Sequence, residues 1–179
     1  TGLNIDQTDL PIYLPIWTTT LWTLPANQAV VLGEDLDYLF VATESDQGAH
    51  YVIVSEGLQE SICDRWKVEK WDVIGSVNPS DLEGLQLLHP FYEREVPILI
   101  GDYVTLEAGT GAVHTAPAHG HDDFIIGQKH DLPLESPVND FGIFTASTEH
   151  FAGQHVLKVD SHIVEQLQEN NNLIHQQPF

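Results

Sequence analysis

The stretch Gly109–Phe124 constrains the fold of this chain more than any other. It reads GTGAVHTAPAHGHDDF, which combines a glycine-flanked turn, an apolar strand-like step through His114, a break at Pro117 and a helix start at Gly120. A strand-to-helix junction so rich in histidine and aspartate indicates a site. The stretch Trp17–Asn27 (WTTTLWTLPAN) has the same character, and we expect the two to face each other across one pocket.

Many short apolar runs separated by turn residues predict a compact α+β domain with a barrel-like core, not a parallel sheet. Helices are expected over residues 56–67, with Ser55 as the N-cap, and over 120–129 and 161–170. Strands are expected over 11–20 at an edge, then over 28–33, 37–43, 50–54, 71–77, 85–89, 96–100, 104–106 and 112–115, with weak ones over 133–138 and 142–145.

Composition limits the partners and the compartment. The chain has 179 residues, the size of one domain, and six Lys and Arg against 27 Asp and Glu give a net charge of -21. Six basic side chains cannot form a broad patch for nucleic acid, so any nucleic acid must be held mainly by something else. The single Cys63 allows no internal disulfide and fits a reducing compartment, and we expect a cytoplasmic location, an organelle being equally compatible.

Two further features concern membranes and the ends of the chain. No apolar run approaches the ~20 residues that span a bilayer, so no membrane association is expected. The sequence contains no methionine, and we therefore expect residues 1–179 to be a single domain excised from a larger protein.

The histidine and aspartate cluster admits more than one interpretation. His119, His121 and Asp123 follow the His-x-His-x-Asp spacing with which metallo-β-lactamase-type hydrolases hold zinc, although Phe124 stands where that family has another histidine. Acids in a first helical turn also satisfy free backbone N–H groups, which offers Asp122 and Asp123 a structural role. No nucleophile elbow or Cys-His pairing is present, so covalent catalysis has no candidate.

The threonine run also has two interpretations. Thr18, Thr19, Thr20 and Thr23 carry compact hydroxyls that both donate and accept hydrogen bonds, as a site that orients a ligand or a water would need. Threonine is also common in strands because of its β-branched side chain. In the same way, His114 on an apolar strand is as readily a hydrogen-bonded core residue as a site residue.

Taken together, the two segments resemble the editing domain of class I aminoacyl-tRNA synthetases, specifically of the isoleucyl type. The resemblance rests on WTTTxWTLPAN at 17–27 and GTGAVHTAPAHGxDDF at 109–124. The shorter pieces at 89–91 and 96–102 also match, and the similarity runs from about Ile12 onward.

Valyl and leucyl enzymes differ from this chain in the first motif. Both carry arginine where this chain has Thr20, and the valyl enzyme carries lysine in place of His114. Leu21 departs from the isoleucyl pattern, which usually has proline there. Because that change removes no hydrogen-bonding side chain, we expect little chemical consequence.

The resemblance implies a β-barrel core with peripheral helices, inserted into the catalytic fold of a larger synthetase. It implies hydrolysis of valine from mischarged tRNA(Ile), with valyl-adenylate as a second substrate. The partners would be the 3′ end of the aminoacylated tRNA(Ile), which other domains grip, and the remainder of the synthetase. Neither a metal nor another cofactor is implied.

The resemblance also assigns roles to residues. Asp123 would bind the α-ammonium of the substrate, and Thr18, Thr19 and Thr20 would contact the amino acid or adenosine and hold the hydrolytic water. Trp22 and His114 would shape the side-chain pocket, Thr23 and Asn27 would support that wall, and the Gly109, Thr110 and Gly111 turn would approach the adenosine. A metal-dependent hydrolase using His119, His121 and Asp123 and a non-catalytic acidic binding module remain the alternatives.

Overall fold

The computed structural model describes residues 10–45, 48–68 and 70–177. Within them, the strands are β1 (Ile12–Tyr13), β2 (Ala29–Gly33), β3 (Tyr38–Ser45), β4 (Gly48–Ser55), β5 (Trp71–Val77), β6 (Gln86–Leu88), β7 (Glu95–Gly101) and β8 (Ala112–Thr115). The α-helices are α1 (Gln59–Trp66), α2 (Pro79–Leu82), α3 (His121–Lys129) and α4 (Asp160–Glu169), and 3-10 helices cover Leu21–Ala26, Glu56–Leu58 and Val156–Lys158.

The strands form two four-stranded sheets. One has the order β1-β4-β3-β5 and the other β6-β7-β2-β8. In the second sheet β2 is central, parallel to β7 and antiparallel to β8. The mixed sheets and helices agree with the predicted α+β class. The predicted barrel is not confirmed, because no hydrogen-bonded ladder joins the two sheets anywhere in the described residues.

Packing of side chains joins the two sheets. Val30, Leu32 and Ile98 of the second sheet share one buried cluster with Phe40 and Ile53 of the first. The outer face of the first sheet packs on α1, and that of the second packs on Ile126 of α3. Successive side chains of a strand point to opposite faces, so a strand covered on both faces is apolar throughout, as β2 with the sequence AVVLG is.

A separate apolar cluster holds the helix of the first motif. Leu24 packs in it with Phe91, Phe144, Phe151 and Ile163, the last from α4. The side chain of Phe151 is fully buried, and its ring lies 5.6 Å from that of Phe91. The position of the 3-10 helix Leu21–Ala26 therefore depends on the C-terminal third of the chain.

Several predicted elements differ from the observed ones. Of the expected strand over 11–20 only Ile12–Tyr13 pairs, parallel to β4, since Pro15 has no N–H to donate to a ladder. After this segment, the chain enters the 3-10 helix Leu21–Ala26, which the sequence did not predict. Residues 104–106 form no strand, and 133–138 and 142–145 contribute only isolated bridges. Ser55 precedes a 3-10 helix but its side chain makes no capping hydrogen bond, and part of the expected connection over 44–48 lies outside the described residues.

Candidate functional site

The first motif is shaped by its own hydroxyl groups. The Thr18 Oγ1 accepts a hydrogen bond from the Thr20 backbone N–H at 3.0 Å, which turns the chain locally, as short threonine side chains do. The Thr23 hydroxyl donates to the Thr20 carbonyl at 2.8 Å. These bonds lead the chain into the 3-10 helix Leu21–Ala26, so the segment is a turn and a short helix instead of the predicted strand.

His114 on β8 joins the two motifs. Its Nδ1 lies 2.7 Å from the Asn27 Nδ2, and its Nε2 lies 3.0 Å from the Thr23 Oγ1. Asn27 also donates from Nδ2 to the Ala29 carbonyl at 2.8 Å, which identifies that atom as the amide nitrogen. Nδ1 of His114 must then accept, so Nε2 carries the proton and donates to Thr23, which in turn donates to Thr20.

The His114 ring is neutral. Burial lowers the pKa of His114 to about 4, and the neighbouring His119 lowers it further in the same direction. The ring is only 9% exposed, and both of its nitrogens are used by Asn27 and Thr23. His114 can therefore act as a fixed wall, but it has no free lone pair with which to accept a proton.

Asp123 lies in the first turn of α3 and is held from β8. Its Oδ2 accepts a hydrogen bond of 2.8 Å from the backbone N–H of Ala116, which follows the strand. Partial burial raises the pKa of Asp123, the bond from Ala116 opposes this rise, and the adjacent Asp122 adds to it. A cationic ligand would favour the ionised form of such a carboxylate.

Two aromatic rings occupy the space between the motifs. The rings of Trp22 and His119 are 5.0 Å apart and meet edge to face. His119 is half-buried, burial lowers its pKa, and its Nε2 has no hydrogen-bond partner among the described residues. The sequence analysis singled out His119 only as a candidate metal ligand, whereas its contact with Trp22 places it beside the first motif.

The other predicted site residues lie at the surface or before the start of β8. Thr19 and Thr20 are exposed, and no hydrogen bond within the described residues joins them or Thr18 to Asp123. The Gly109, Thr110 and Gly111 turn precedes β8, whereas Asp123 is held at the other end of this four-residue strand, roughly 13 Å away at the usual strand rise.

The glycine turn is fastened to the first sheet. Gly109 and Gly111 have φ of 89° and 85°, a region that side chains other than glycine rarely adopt. The Thr110 hydroxyl donates to the Pro15 carbonyl at 2.6 Å, and the Tyr38 hydroxyl donates to the Gly111 carbonyl at 2.5 Å. With Trp17 and Tyr103, the turn lines a cleft of about 250 Å³.

The geometry does not favour the metal-site interpretation. Across residues 10–45, 48–68 and 70–177, no three His, Cys, Asp or Glu side chains come together in a way that could hold a metal ion. In the same residues, no helix is both long and apolar enough to cross a membrane.

Two residues that the sequence analysis did not single out donate hydrogen bonds to carbonyls at the end of the 3-10 helix. His89 Nε2 lies 3.1 Å from the Leu24 carbonyl, and Arg94 Nη2 reaches the carbonyls of Pro25 and Asn27. They occupy the loop between β6 and β7, more than 60 residues from their partners. The only sequence signal for Arg94 is its rarity, as one of six basic residues.

Comparison with known families identifies the domain. The family described as "Leucyl-tRNA synthetase, editing domain" matches residues 79–176, more than half of the chain. This chain belongs to the editing-domain family of aminoacyl-tRNA synthetases. The matched part of the editing domain includes the second motif, with His114 and Asp123, and the resemblance predicted from the motifs is confirmed.

The editing domain is also similar in sequence to isoleucine–tRNA ligases. It is 47% identical over 168 residues to the isoleucine–tRNA ligase of Alkalilimnicola ehrlichii, covering 94% of this chain and 17% of that protein. The isoleucine–tRNA ligase of Idiomarina loihiensis is 46% identical over 170 residues, with 94% and 18% covered. The chain thus spans under a fifth of the length of these relatives.

Solved structures share the fold of the editing domain. The Plasmodium falciparum cytosolic leucyl-tRNA synthetase editing domain superposes with a TM-score of 0.75 at 10% identity, covering 95% of this chain and 81% of that one. A structure titled GlLeuRS-CP1 gives a TM-score of 0.73 at 19% identity, with 97% and 87% covered. At such low identity the likeness concerns the fold alone.

Proposed function

We propose that this editing domain hydrolyses the ester between valine and the terminal adenosine of tRNA(Ile), and that it excludes isoleucine by size. For isoleucyl-tRNA synthetases, the established example of this limit, one missing methylene gives only about 1–3 kcal/mol of discrimination, so a second pocket must destroy the smaller product. Hydrolysis of valyl-adenylate in the same pocket is part of the proposal, as is a cytoplasmic location.

One observation carries the proposal: the hydrogen-bonded junction at His114. It brings Thr20, Thr23 and Asn27 of the first motif onto the strand that leads to Asp123. These residues are separated by about 90 positions in the sequence, and they are the ones that the motifs predict. This junction supports a site at which the two motifs meet, as the resemblance implies.

The roles that we propose are those that the resemblance implies, and the geometry supports them. The Asp123 carboxylate binds the α-ammonium of the aminoacyl group, and the bond from Ala116 fixes its direction. The fixed His114 ring and the Trp22 indole, which packs on His119, form the wall against which the valine side chain fits. The hydroxyls of Thr18, Thr19 and Thr20, of which the last two residues are exposed, orient the ester and the water. The cleft between Trp17 and the glycine turn receives the adenosine.

The reaction needs positioning more than a strong base. Water attacks the ester carbonyl carbon, the bond from that carbon to the ribose oxygen breaks, and valine and the free tRNA hydroxyl leave. Because both His114 nitrogens are already hydrogen-bonded, His114 takes no proton. An aminoacyl ester is activated, so orientation and electrostatic stabilisation of the oxyanion suffice, and a ribose hydroxyl of the substrate assists the water.

The strong negative charge fits a division of labour. With six basic side chains against 27 acidic ones, the domain repels the tRNA backbone. We propose that the remainder of a larger synthetase, of which this chain is one domain, grips the tRNA and delivers only its 3′ end. Asp123 then needs to attract only the single ammonium group of the aminoacyl ester.

The deciding experiment compares deacylation of Val-tRNA(Ile) and Ile-tRNA(Ile) in the presence of a chelator. The unmodified chain is compared with Asp123→Ala and with the matched control Asp122→Ala, which removes an exposed acid from the same helical turn. We expect chelator-resistant loss of valine only, abolished by Asp123→Ala and kept by Asp122→Ala.

Two outcomes would contradict the proposal. Loss of activity with the chelator would favour a metal-dependent hydrolase. Equal activity of the Asp123→Ala variant and the unmodified protein, measured also with the domain inside its intact synthetase, would favour a non-catalytic binding module.

A further inference from the structure

The 3-10 helix Leu21–Ala26 ends in carbonyl groups that need donors. A helix terminus leaves its last carbonyls without partners inside the helix. Here the Leu24 carbonyl accepts from the Asn27 N–H at 3.0 Å and lies 3.1 Å from the His89 Nε2. The Pro25 and Asn27 carbonyls accept from Arg94 Nη2 at 3.1 and 2.7 Å. Two side chains of one loop thus donate to three carbonyls at the end of this helix.

His89 donates to the helix end as a neutral ring at ordinary pH. Its Nδ1 accepts from the backbone N–H of Tyr92 at 3.2 Å, so Nε2 carries the proton that goes to Leu24. Burial lowers the pKa of His89 to about 3, and the charge of Arg94 acts in the same direction. Arg94, whose guanidinium lies 5.1 Å from the Tyr92 ring centre, therefore supplies the positive charge of this loop.

The bond from Arg94 to Asn27 leads directly to the site. Asn27 uses its backbone carbonyl for Arg94 and its side-chain amide for His114 Nδ1. The His114 Nε2 then donates to Thr23, and Thr23 donates to the Thr20 carbonyl. One continuous set of hydrogen bonds joins Arg94, outside the substrate motifs, to the threonine segment.

We propose that Arg94 is a positioning residue for editing: by fixing Asn27, it holds the His114 ring in one tautomer and one orientation, and so sets the boundary between valine and isoleucine. The proposal rests on the proposed editing function. A bond from a charged donor is stronger than a neutral one, and leaving its acceptors buried without a donor is costly. Without Arg94 the Asn27 amide and the His114 ring gain freedom, and the wall becomes less selective.

The test uses Arg94→Gln, with Arg94→Lys as the conservative variant and Arg65→Gln on α1 as the matched control. For Arg94→Gln we expect kcat/KM for Val-tRNA(Ile) to fall about tenfold or more. The ratio of valine to isoleucine hydrolysis should fall as well. A variant that is merely less folded would lower both rates by the same factor and leave this ratio unchanged. Arg94→Lys should recover most of the ratio, because an ammonium can donate to both carbonyls.

A spectroscopic measurement separates this proposal from the function on which it rests. In the unmodified protein, ¹⁵N resonances of the His114 ring should show a protonated Nε2 and an unprotonated Nδ1, and in Arg94→Gln they should show a mixture or exchange. A protonated Nδ1 in the unmodified protein would overturn the proposal, because Asn27 could not then donate to it. So would an unchanged valine-to-isoleucine ratio in Arg94→Gln. Absence of any hydrolysis by the unmodified intact synthetase would instead refute the proposed function.

Discussion

At the scale of single residues, the direction of the Asp123 carboxylate depends on the absence of a side chain at Gly120. A Cβ at Gly120 would lie 2.9 Å from Asp123 Cγ and 3.0 Å from its Oδ2. Gly120 has φ of -136°, an extended conformation that alanine adopts without strain. Glycine is needed here for space beside the carboxylate, not for backbone freedom.

We therefore predict that Gly120→Ala separates activity from stability. The new methyl group should turn the Asp123 carboxylate away from Ala116, because a flexible side chain yields before the backbone does. Deacylation of Val-tRNA(Ile) should fall about tenfold or more, since small misplacements of a binding group are costly, while Tm changes little. The control is Gly57→Ala, whose Cβ would approach Leu106 Cδ1 to 2.7 Å and should leave activity intact. Unchanged activity of Gly120→Ala would contradict the role of Asp123.

The sequence could predict the chemistry of single residues only where the motif itself contains the partner. Asp123, His114, Thr23 and Asn27 lie within the two motifs, and His114 meets its partners across 87 and 91 positions of sequence. Arg94 could not be predicted, because it stands in a polar loop without periodicity and acts on backbone carbonyls, which leave no trace in the sequence of the partner.

At the scale of elements, the glycine turn that precedes β8 lies close against the end of β4 in the first sheet. A Cβ at Gly111 would lie 2.4 Å from Ser55 Cβ at the end of β4, and the residue has φ of 85°. The Ser55 N–H also donates to the Thr110 carbonyl at 2.9 Å. These contacts fix the start of β8 against the end of β4. They thereby also fix the position of His114, which lies on β8.

Gly111→Ala should destabilise the fold much more than Gly84→Ala. Gly84 has nearly the same φ, 82°, and no atom within 4 Å of an added Cβ, so its substitution costs only the backbone strain of about 1–2 kcal/mol. Gly111→Ala adds overpacking of about 1–3 kcal/mol. Urea unfolding of both variants measures the difference. Equal free energies of unfolding would show that the two sheets can separate at this point without cost.

Among the elements, the paired strands were predicted best. The strands β2, β3, β4, β5, β7 and β8 and the helices α3 and α4 appear within a few residues of their predicted positions, because apolar periodicity and flanking turn residues mark them. Of the segment 11–20, only Ile12–Tyr13 forms the predicted edge strand. The β-branched residues after it suggest a strand, but the chain turns there because the Thr18 hydroxyl accepts from the Thr20 N–H and the Thr23 hydroxyl donates to the Thr20 carbonyl. Whether two sheets close into a barrel leaves no periodic pattern in the sequence. The predicted barrel therefore had no support from periodicity, and the structure does not confirm it.

At the scale of the whole molecule, two buried neutral histidines make stability depend on pH. Burial lowers the pKa of His114 to about 4 and that of His89 to about 3, both below the ordinary value of about 6.5. Between about pH 6.5 and 4 these histidines bind protons in the unfolded chain but not in the folded one, so the free energy of unfolding falls as the pH falls. The raised pKa of Asp123 opposes this loss in part.

We predict that the free energy of unfolding decreases by about 1.4 kcal/mol per pH unit for each of these histidines as the pH is lowered through this window. Urea titrations at several pH values measure the slope. His114→Gln should reduce the slope, while His175→Gln, which removes an exposed histidine, should not. An identical slope in His114→Gln would mean that the ring is charged in the folded protein.

The central position of β2 also has a consequence for synthesis of the chain. Within the described residues this apolar strand pairs with β7 and β8, which begin at Glu95 and Ala112, so it leaves the ribosome long before either neighbour exists. Until then the nascent chain carries an unpaired strand of the kind that associates with other chains. Because Thr23 and His114 meet only when β8 has docked, recovery of hydrolysis after dilution from denaturant would report the docking of β8.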